Sequence, residues 1–283
     1  MNMSSPAATT SPDAHGHDHG HGHGHHKFQA HHFDTMGQQF ESGKMGIWLF
    51  LVTEILFFSG LFCAYIVYRA LHPEIFQFAH VFLNKYLGAL NTAVLIFSSF
   101  TMAWGVRNAQ KGQKGLLCLN LAITILCGCT FMVVKYFEYT HKFEMGLKWG
   151  QAYAPNNEVE ELREKEHKAE MARHGIIESE AEEEGAVKKK VKFIPKLTGS
   201  GSRPLITNEP PNVHIFFSIY YCMTGLHGIH VVIGIGVLLW TLLRAIRGHF
   251  GPDYFFPVDY VGLYWHLVDL IWIYLFPLLY LIH

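Results

Sequence analysis

The chain has 283 residues, half of them hydrophobic and 14% aromatic, which is too apolar and too aromatic for an ordinary soluble domain of this size. A formal net charge of -1 leaves no electrostatic case for a nucleic-acid partner. The charge is also unevenly spread. Residues 145–212 hold 12 of the 23 acidic and 11 of the 22 basic side chains, while long runs elsewhere carry almost none, which is the pattern of a membrane protein.

Residues 1–43 read as a disordered polar tail. Its centre is the tract His-Gly-His-Asp-His-Gly-His-Gly-His-Gly-His-His, from His15 to His26. Glycine at that density opposes both a helix and a packed core, and such a tract binds Zn, Ni or Cu ions loosely without implying catalysis. The first 40 residues hold no apolar segment of the kind a cleaved signal peptide needs, so none is expected.

Five apolar spans follow, each long enough to cross a bilayer as a helix. The first, 45–68, carries one charge, Glu54; the second, 86–106, carries none. The third, 115–134, is uncharged and runs on through 135–139. The fourth, 213–243, has no Asp, Glu, Lys or Arg, and the fifth, 260–283, has one charge, Asp269. None shows the polar alternation that barrel strands require. The expected fold is therefore an all-α integral membrane bundle, with spans one to three in 44–144, a long charged insert at 145–212, and spans four and five in 213–283.

Lysine and arginine in the short loops set the orientation. Lys44, then Arg107, Lys111 and Lys114, then Arg244 and Arg247 fall on one side if five helices alternate; Arg69 and Lys85 fall on the other. This predicts a cytoplasmic N-terminus, with the insert and the C-terminus periplasmic. Within the insert, 158–184 has the Glu/Lys/Ala/Arg composition of a helix but only a thin apolar stripe, Val159, Leu162, Met171, Ile176 and Ile177. It cannot bury a core of its own and is expected to act as an arm or docking helix on a partner.

Five polar residues inside the spans need a reason for being there. Glu54 lies near mid-bilayer, and Thr53 faces elsewhere, so its partner must come from another helix, a lipid or water. His227 and His230 sit at i,i+3 in the fourth span and face one side; Gly225 and Gly228 beside them permit a close helix approach. His266 and Asp269 sit at i,i+3 in the fifth and can pair within their helix. Glu138, with Tyr136 and Tyr139, stands at the exit of the third span, where an interfacial carboxylate can be solvated. His230 and His266 could face each other across a haem, but a catalytic oxidase core needs more histidines than this chain places in its spans. No haem or metal is expected in the helices. The five cysteines include no CxxC pair and read as small hydrophobes.

At these residues the pattern becomes specific. Lys44-Met-Gly-Ile-Trp-Leu-Phe-Leu-Val-Thr-Glu54-Ile-Leu-Phe-Phe resembles the opening of subunit III of haem–copper terminal oxidases, the cytochrome c oxidase subunit III family. Leu90-Asn-Thr-Ala-Val-Leu and Glu138-Tyr139 are similar to that family's next two helices. Gly225-Leu-His-Gly-Ile-His-Val-Val-Ile-Gly234 and Tyr264-Trp-His-Leu-Val-Asp-Leu-Ile-Trp272 match its signature segments. The resemblance covers 44–144 and 212–283 and points to a five-helix bacterial form.

It implies an accessory subunit of an aa3-type cytochrome c oxidase with no active site of its own. Haem and copper would lie in partner subunits I and II, and cytochrome c would be met only indirectly. The subunit would bind phospholipid and support proton uptake and stability of the catalytic subunit, in the bacterial inner membrane. Glu54, His227 and His230 would then border lipid or a polar inter-helix contact, and Arg244 and His249 would meet lipid headgroups. Two departures stand out: seven-helix members have two further helices before the Glu54 helix, and the 145–212 insert is long for the family. A quinol oxidase or nitric oxide reductase subunit fits the same motifs. A membrane transporter, suggested by the histidine tail and Glu54, and a bis-histidine cytochrome b are the alternatives outside the family.

Overall fold

The computed structural model describes residues 33, 35–156, 159, 161, 162, 165, 210–252 and 254–281. Five of its helices are long and apolar enough to span a membrane: α1 (Met36–Leu71), α3 (Lys85–Gln110), α4 (Lys114–Glu144), α5 (Val213–Ile246) and α6 (Phe256–Tyr280). A short α2 (Pro73–Ala79) and a 3-10 turn (His80–Phe82) lie between α1 and α3. No strand occurs among the described residues, only the single bridge between Gly251 and Tyr254. In hydrocarbon every backbone group must bond within its own segment, so apolar runs of this length become helices. The all-α membrane bundle read from the sequence is the fold observed.

The helix ends are written in local chemistry. Thr35 starts α1: its hydroxyl accepts the Gln38 N–H at 3.1 Å and its carbonyl accepts the Gln39 N–H at 3.1 Å. That cap places Met36 to Gly43 in a helix, inside the stretch assigned to the polar tail. Asn84 caps α3 by accepting from the N–H groups of Tyr86 and Leu87. Pro73 and Pro257 occupy the first turns of α2 and α6, where no donor is lost. At the end of α4, Gly146 turns into the left-handed region (φ 77°) while the Leu147 N–H bonds back to the Lys142 carbonyl. A side chain there would run into the Ala154 carbonyl, 1.7 Å from its Cβ. Residues 159, 161, 162 and 165 of the insert are helical; the remainder of 158–184, including Met171, Ile176 and Ile177, lies outside the described residues.

Residues Ser42–His283 form one compact unit; the described part of Met1–Glu41 opens α1. At the centre of the larger unit is α6, half of whose apolar window is buried, against 11% for α1. Trp265 of α6 is the wedge between neighbours. It fits because Gly128 of α4 and Gly234 of α5 lack side chains: a Cβ would lie 2.8 Å and 2.9 Å from its ring. Its indole N–H donates to Ser98 Oγ of α3 at 3.0 Å, so one residue ties four helices. The close approach expected at Gly225 and Gly228 occurs at this other pair. Both of those glycines have open space where a Cβ would point and line a shallow groove of about 370 Å³ between α4 and α5.

Helix α1 joins the bundle along a single seam. Its buried residues are Leu51, Phe58 and Tyr65, spaced by seven. The rest of its apolar surface, including Trp48, Leu49, Ile55, Leu56 and Phe57, stays exposed. In water that surface would drive aggregation; a bilayer or a neighbouring apolar helix could cover it.

Candidate functional site

Three clusters hold the acidic side chains carried into the apolar spans: Glu54, Asp269 and Glu138. The first joins α1 to α5 near mid-span, where His230 Nε2 lies 3.0 Å from Glu54 Oε2. The other ring nitrogen, Nδ1, faces the Leu226 carbonyl at 2.8 Å, and since a carbonyl only accepts, Nδ1 must carry a hydrogen. The Nε2–Glu54 contact therefore shares one proton: either a neutral carboxyl donates to a neutral imidazole or an imidazolium donates to a carboxylate. The pair is neutral as a whole in both cases, which makes it tolerable at that depth. Their side chains keep 20% (Glu54) and 17% (His230) exposure, so the pair borders the open side of the α1 seam. Phe58 meets the His230 ring edge-on at 5.3 Å, and the Tyr264 hydroxyl donates to the His230 carbonyl at 3.2 Å.

His227 does not share this environment. Three residues turn a helix through about 300°, leaving the two histidines about 60° apart. That is enough to put His230 at the α1 seam and His227 in the core. His227 is fully buried, tilted over Trp272 with ring centroids 5.2 Å apart, and edge-on to Phe131 at 5.6 Å. Neither of its nitrogens has a hydrogen-bond partner among the described residues.

The second cluster links α3 to α6 and contains the other proposed pair. His266 and Asp269 are held by neighbouring serines of α3. His266 Nδ1 lies 2.6 Å from Ser99 Oγ, and Asp269 Oδ2 lies 3.4 Å from Ser98 Oγ, the atom that also accepts from Trp265. The adjacent serines reach both because His266 and Asp269 are less than one turn apart on α6. Asp269 is buried, and its second oxygen has no partner among the described residues.

The third cluster was not expected. Glu138, read as an interfacial carboxylate that water could solvate, is buried between α4, α5 and α6. Lys142 Nζ donates to its Oε1 at 2.7 Å and Lys135 Nζ to its Oε2 at 2.8 Å. Two tyrosines complete the shell: Tyr280 donates to Oε1 at 2.5 Å and Tyr220 at 3.0 Å. Each lysine also reaches a tyrosine hydroxyl, Tyr280 for Lys135 and Tyr220 for Lys142, both at 2.7 Å. Lys135 further sits over the Trp272 ring at 4.5 Å. The lysines stand at i−3 and i+4 from Glu138, so the sequence contained the signal. The tyrosines lie 82 and 142 positions away and could not be read locally.

Arg244 and His249 lie apart from all three, at the far end of α5. The Arg244 guanidinium stacks over Trp240 at 5.0 Å and Phe250 at 5.7 Å. His249 Nδ1 lies 3.3 Å from the Arg244 carbonyl, in the turn that Gly248 makes with φ 74°. Fourteen positions along α5 separate Arg244 from His230, about 21 Å at the helical rise. The five residues read as lipid-binding or inter-helix polar thus divide into Glu54 with His230 near mid-span, Arg244 with His249 at the end of α5, and His227 inside the bundle.

The model of one protein family, "Cytochrome c oxidase subunit III", matches residues 24–145 and 212–283 and skips the charged insert. Among similar proteins is "Cytochrome c oxidase subunit 3" of Synechocystis sp., 28% identical over 238 residues, which are 84% of this chain and 74% of that protein. "Probable cytochrome c oxidase subunit 3" of Nocardia farcinica is 27% identical over 239 residues, 84% of this chain and 87% of that protein. "Cytochrome c oxidase subunit 3" of Loxodonta africana is 26% identical over 259 residues, 89% of this chain and 73% of that protein. The matched segments contain α3 to α6 and the Glu54–His230 contact, and the family model accounts for more than half the chain: it belongs to the cytochrome c oxidase subunit III family.

Proposed function

We propose that the chain is the non-catalytic third subunit of an aa3-type cytochrome c oxidase, assembled with subunits I and II in a bacterial inner membrane. It would hold phospholipid against α1 and α5 and sustain proton uptake and stability of the catalytic subunit. The observation that carries this reading is the Glu54–His230 pair, a polar contact that is mostly buried but keeps an exposed edge on the least covered helix. Arg244, about 21 Å further along α5, stands one leaflet's depth away. A phospholipid whose phosphate meets the Arg244 fork and whose chains run along α1 would reach the pair. Haem and copper belong to the partner subunits, and cytochrome c would dock there and reach this chain only indirectly.

The test is turnover of the purified complex. With Glu54→Gln, the oxidase should start at the wild-type rate and lose activity faster during turnover, with fewer retained phospholipids. Unchanged lipid content and an unchanged inactivation rate would refute the lipid role. Oxidation of reduced cytochrome c but not quinol by the same preparation supports the cytochrome c oxidase assignment, and haem a alone in its extracted haems supports the aa3 type; quinol oxidation instead selects the quinol oxidase reading, and nitric oxide reduction selects the third. For orientation, Lys44, Arg107, Lys111, Lys114, Arg244 and Arg247 on one face favour a cytoplasmic N-terminus. Protease added to right-side-out spheroplasts should then cut within 158–190, and protection of that segment would reverse the topology.

A further inference from the structure

A second groove opens at the membrane face opposite Arg244. It has a volume of about 380 Å³ and lies among the end of α1, the short α2 and the end of α6. Its lining includes Tyr65, Ile66, Phe76 and Leu278, with Arg69 and Gln77 as its long polar side chains. Tyr65 donates to the Leu278 carbonyl, which fixes the α1–α6 wall. Phe76 packs edge-on against Phe216 of α5 at 5.2 Å and anchors the α2 wall.

Arg69 is the residue that gives this groove a chemistry. It follows directly on the apolar run that ends at Tyr68, so it stands at headgroup depth. It is half-buried, and no carboxylate pairs with it among the described residues. The nearby acid, Glu74, is half-exposed, faces His72 at 3.4 Å and does not line the groove. A guanidinium presents a planar fork of donors matched to phosphate oxygens, and an unpaired one over an apolar floor is complementary to an anionic head on an acyl chain. A free inorganic phosphate would use the fork but not Ile66, Phe76 or Leu278.

We propose that this groove binds one glycerophospholipid of the leaflet opposite Arg244, with its phosphate on Arg69 and Gln77 and an acyl chain against Ile66 and Leu278. The site shares no residue with the Glu54–His230 contact and does not depend on lipid there.

The experiment counts phospholipid retained by the complete complex after exhaustive detergent washing. Chloroform-extractable phosphorus and aqueous phosphate are measured separately, and lipid adducts are counted by native mass spectrometry. Arg69→Gln should lose one retained phospholipid per complex, and Arg69→Lys should keep it in part. Ile66→Trp fills the apolar floor at an exposed position while leaving Arg69 in place, and should lose the same lipid even if Arg69→Gln fails to assemble. Glu54→Gln should retain this lipid, which separates failure here from failure at the other site. Wild-type lipid counts in Ile66→Trp, or in both variants, would overturn the proposal. So would loss of aqueous phosphate alone.

Discussion

Glu138→Gln keeps the shape of a buried side chain and removes its charge. In the wild type this carboxylate takes hydrogen bonds from Lys135, Lys142, Tyr220 and Tyr280, all between 2.5 and 3.0 Å. Without it two ammonium groups remain buried with no counter-charge. Removing one partner of a buried pair costs about 3–5 kcal/mol, and because Glu138 serves two lysines the upper end, about 5 kcal/mol, applies. Lys142→Met should cost only about 1–2 kcal/mol, since it removes the surplus cation and leaves Lys135 paired with Glu138. The triple variant Lys135→Met, Glu138→Leu, Lys142→Met should fall within about 2 kcal/mol of wild type, because apolar replacement of a whole buried ionic group is often neutral. Tyr220 and Tyr280 retain each other there at 3.2 Å. The assay is the folded fraction during a denaturing-detergent titration of the purified protein in mixed micelles. If Glu138→Gln is no less stable than Lys142→Met, the account of this cluster as a clamp built on the Glu138 carboxylate is wrong.

Gly128→Val should destabilise by roughly 2–3 kcal/mol in the same titration, since the added atoms meet Trp265; Gly228→Ala, with open space at its Cβ, should be within about 0.5 kcal/mol of wild type. Glu54→Ala should leave assembly mostly intact on native gels, because it removes both a buried carboxyl and its desolvation cost; loss of the complex would show that the pair is structural. Deleting 158–190 should lower the thermal stability of the oxidase or release a subunit, since Val159 is already fully buried at the start of that segment; an unchanged complex would make the segment a linker.

Apolar runs of about 20 residues were enough to locate all five spanning helices, because hydrocarbon leaves the backbone no alternative. Their ends were less legible. The α1 start depends on Thr35, a cap outside the apolar run, although Thr35-Met-Gly-Gln38 has the spacing of a capping box. Helical spacing identifies residues that share a face but not the neighbour opposite that face. For that reason the sequence pointed to Gly225 and Gly228 where the packing uses Gly128 and Gly234. The need of Glu54 for a partner on another helix was readable from its depth; the distance to His230 is a tertiary fact, 176 positions away. Glu138 was misjudged because its position in the chain suggested solvent, while the folded bundle surrounds it with the ends of α5 and α6.

Whether the chain is an accessory subunit is decided most directly by purifying it from native membranes through a tag at its C-terminus. The account predicts recovery with a haem–copper catalytic subunit and its copper-bearing partner in near-equal amounts. It also predicts that the haem absorbance stays with those partners when this chain is separated from them. A chain that purifies without oxidase subunits, or that carries a stoichiometric haem of its own after separation, would contradict it.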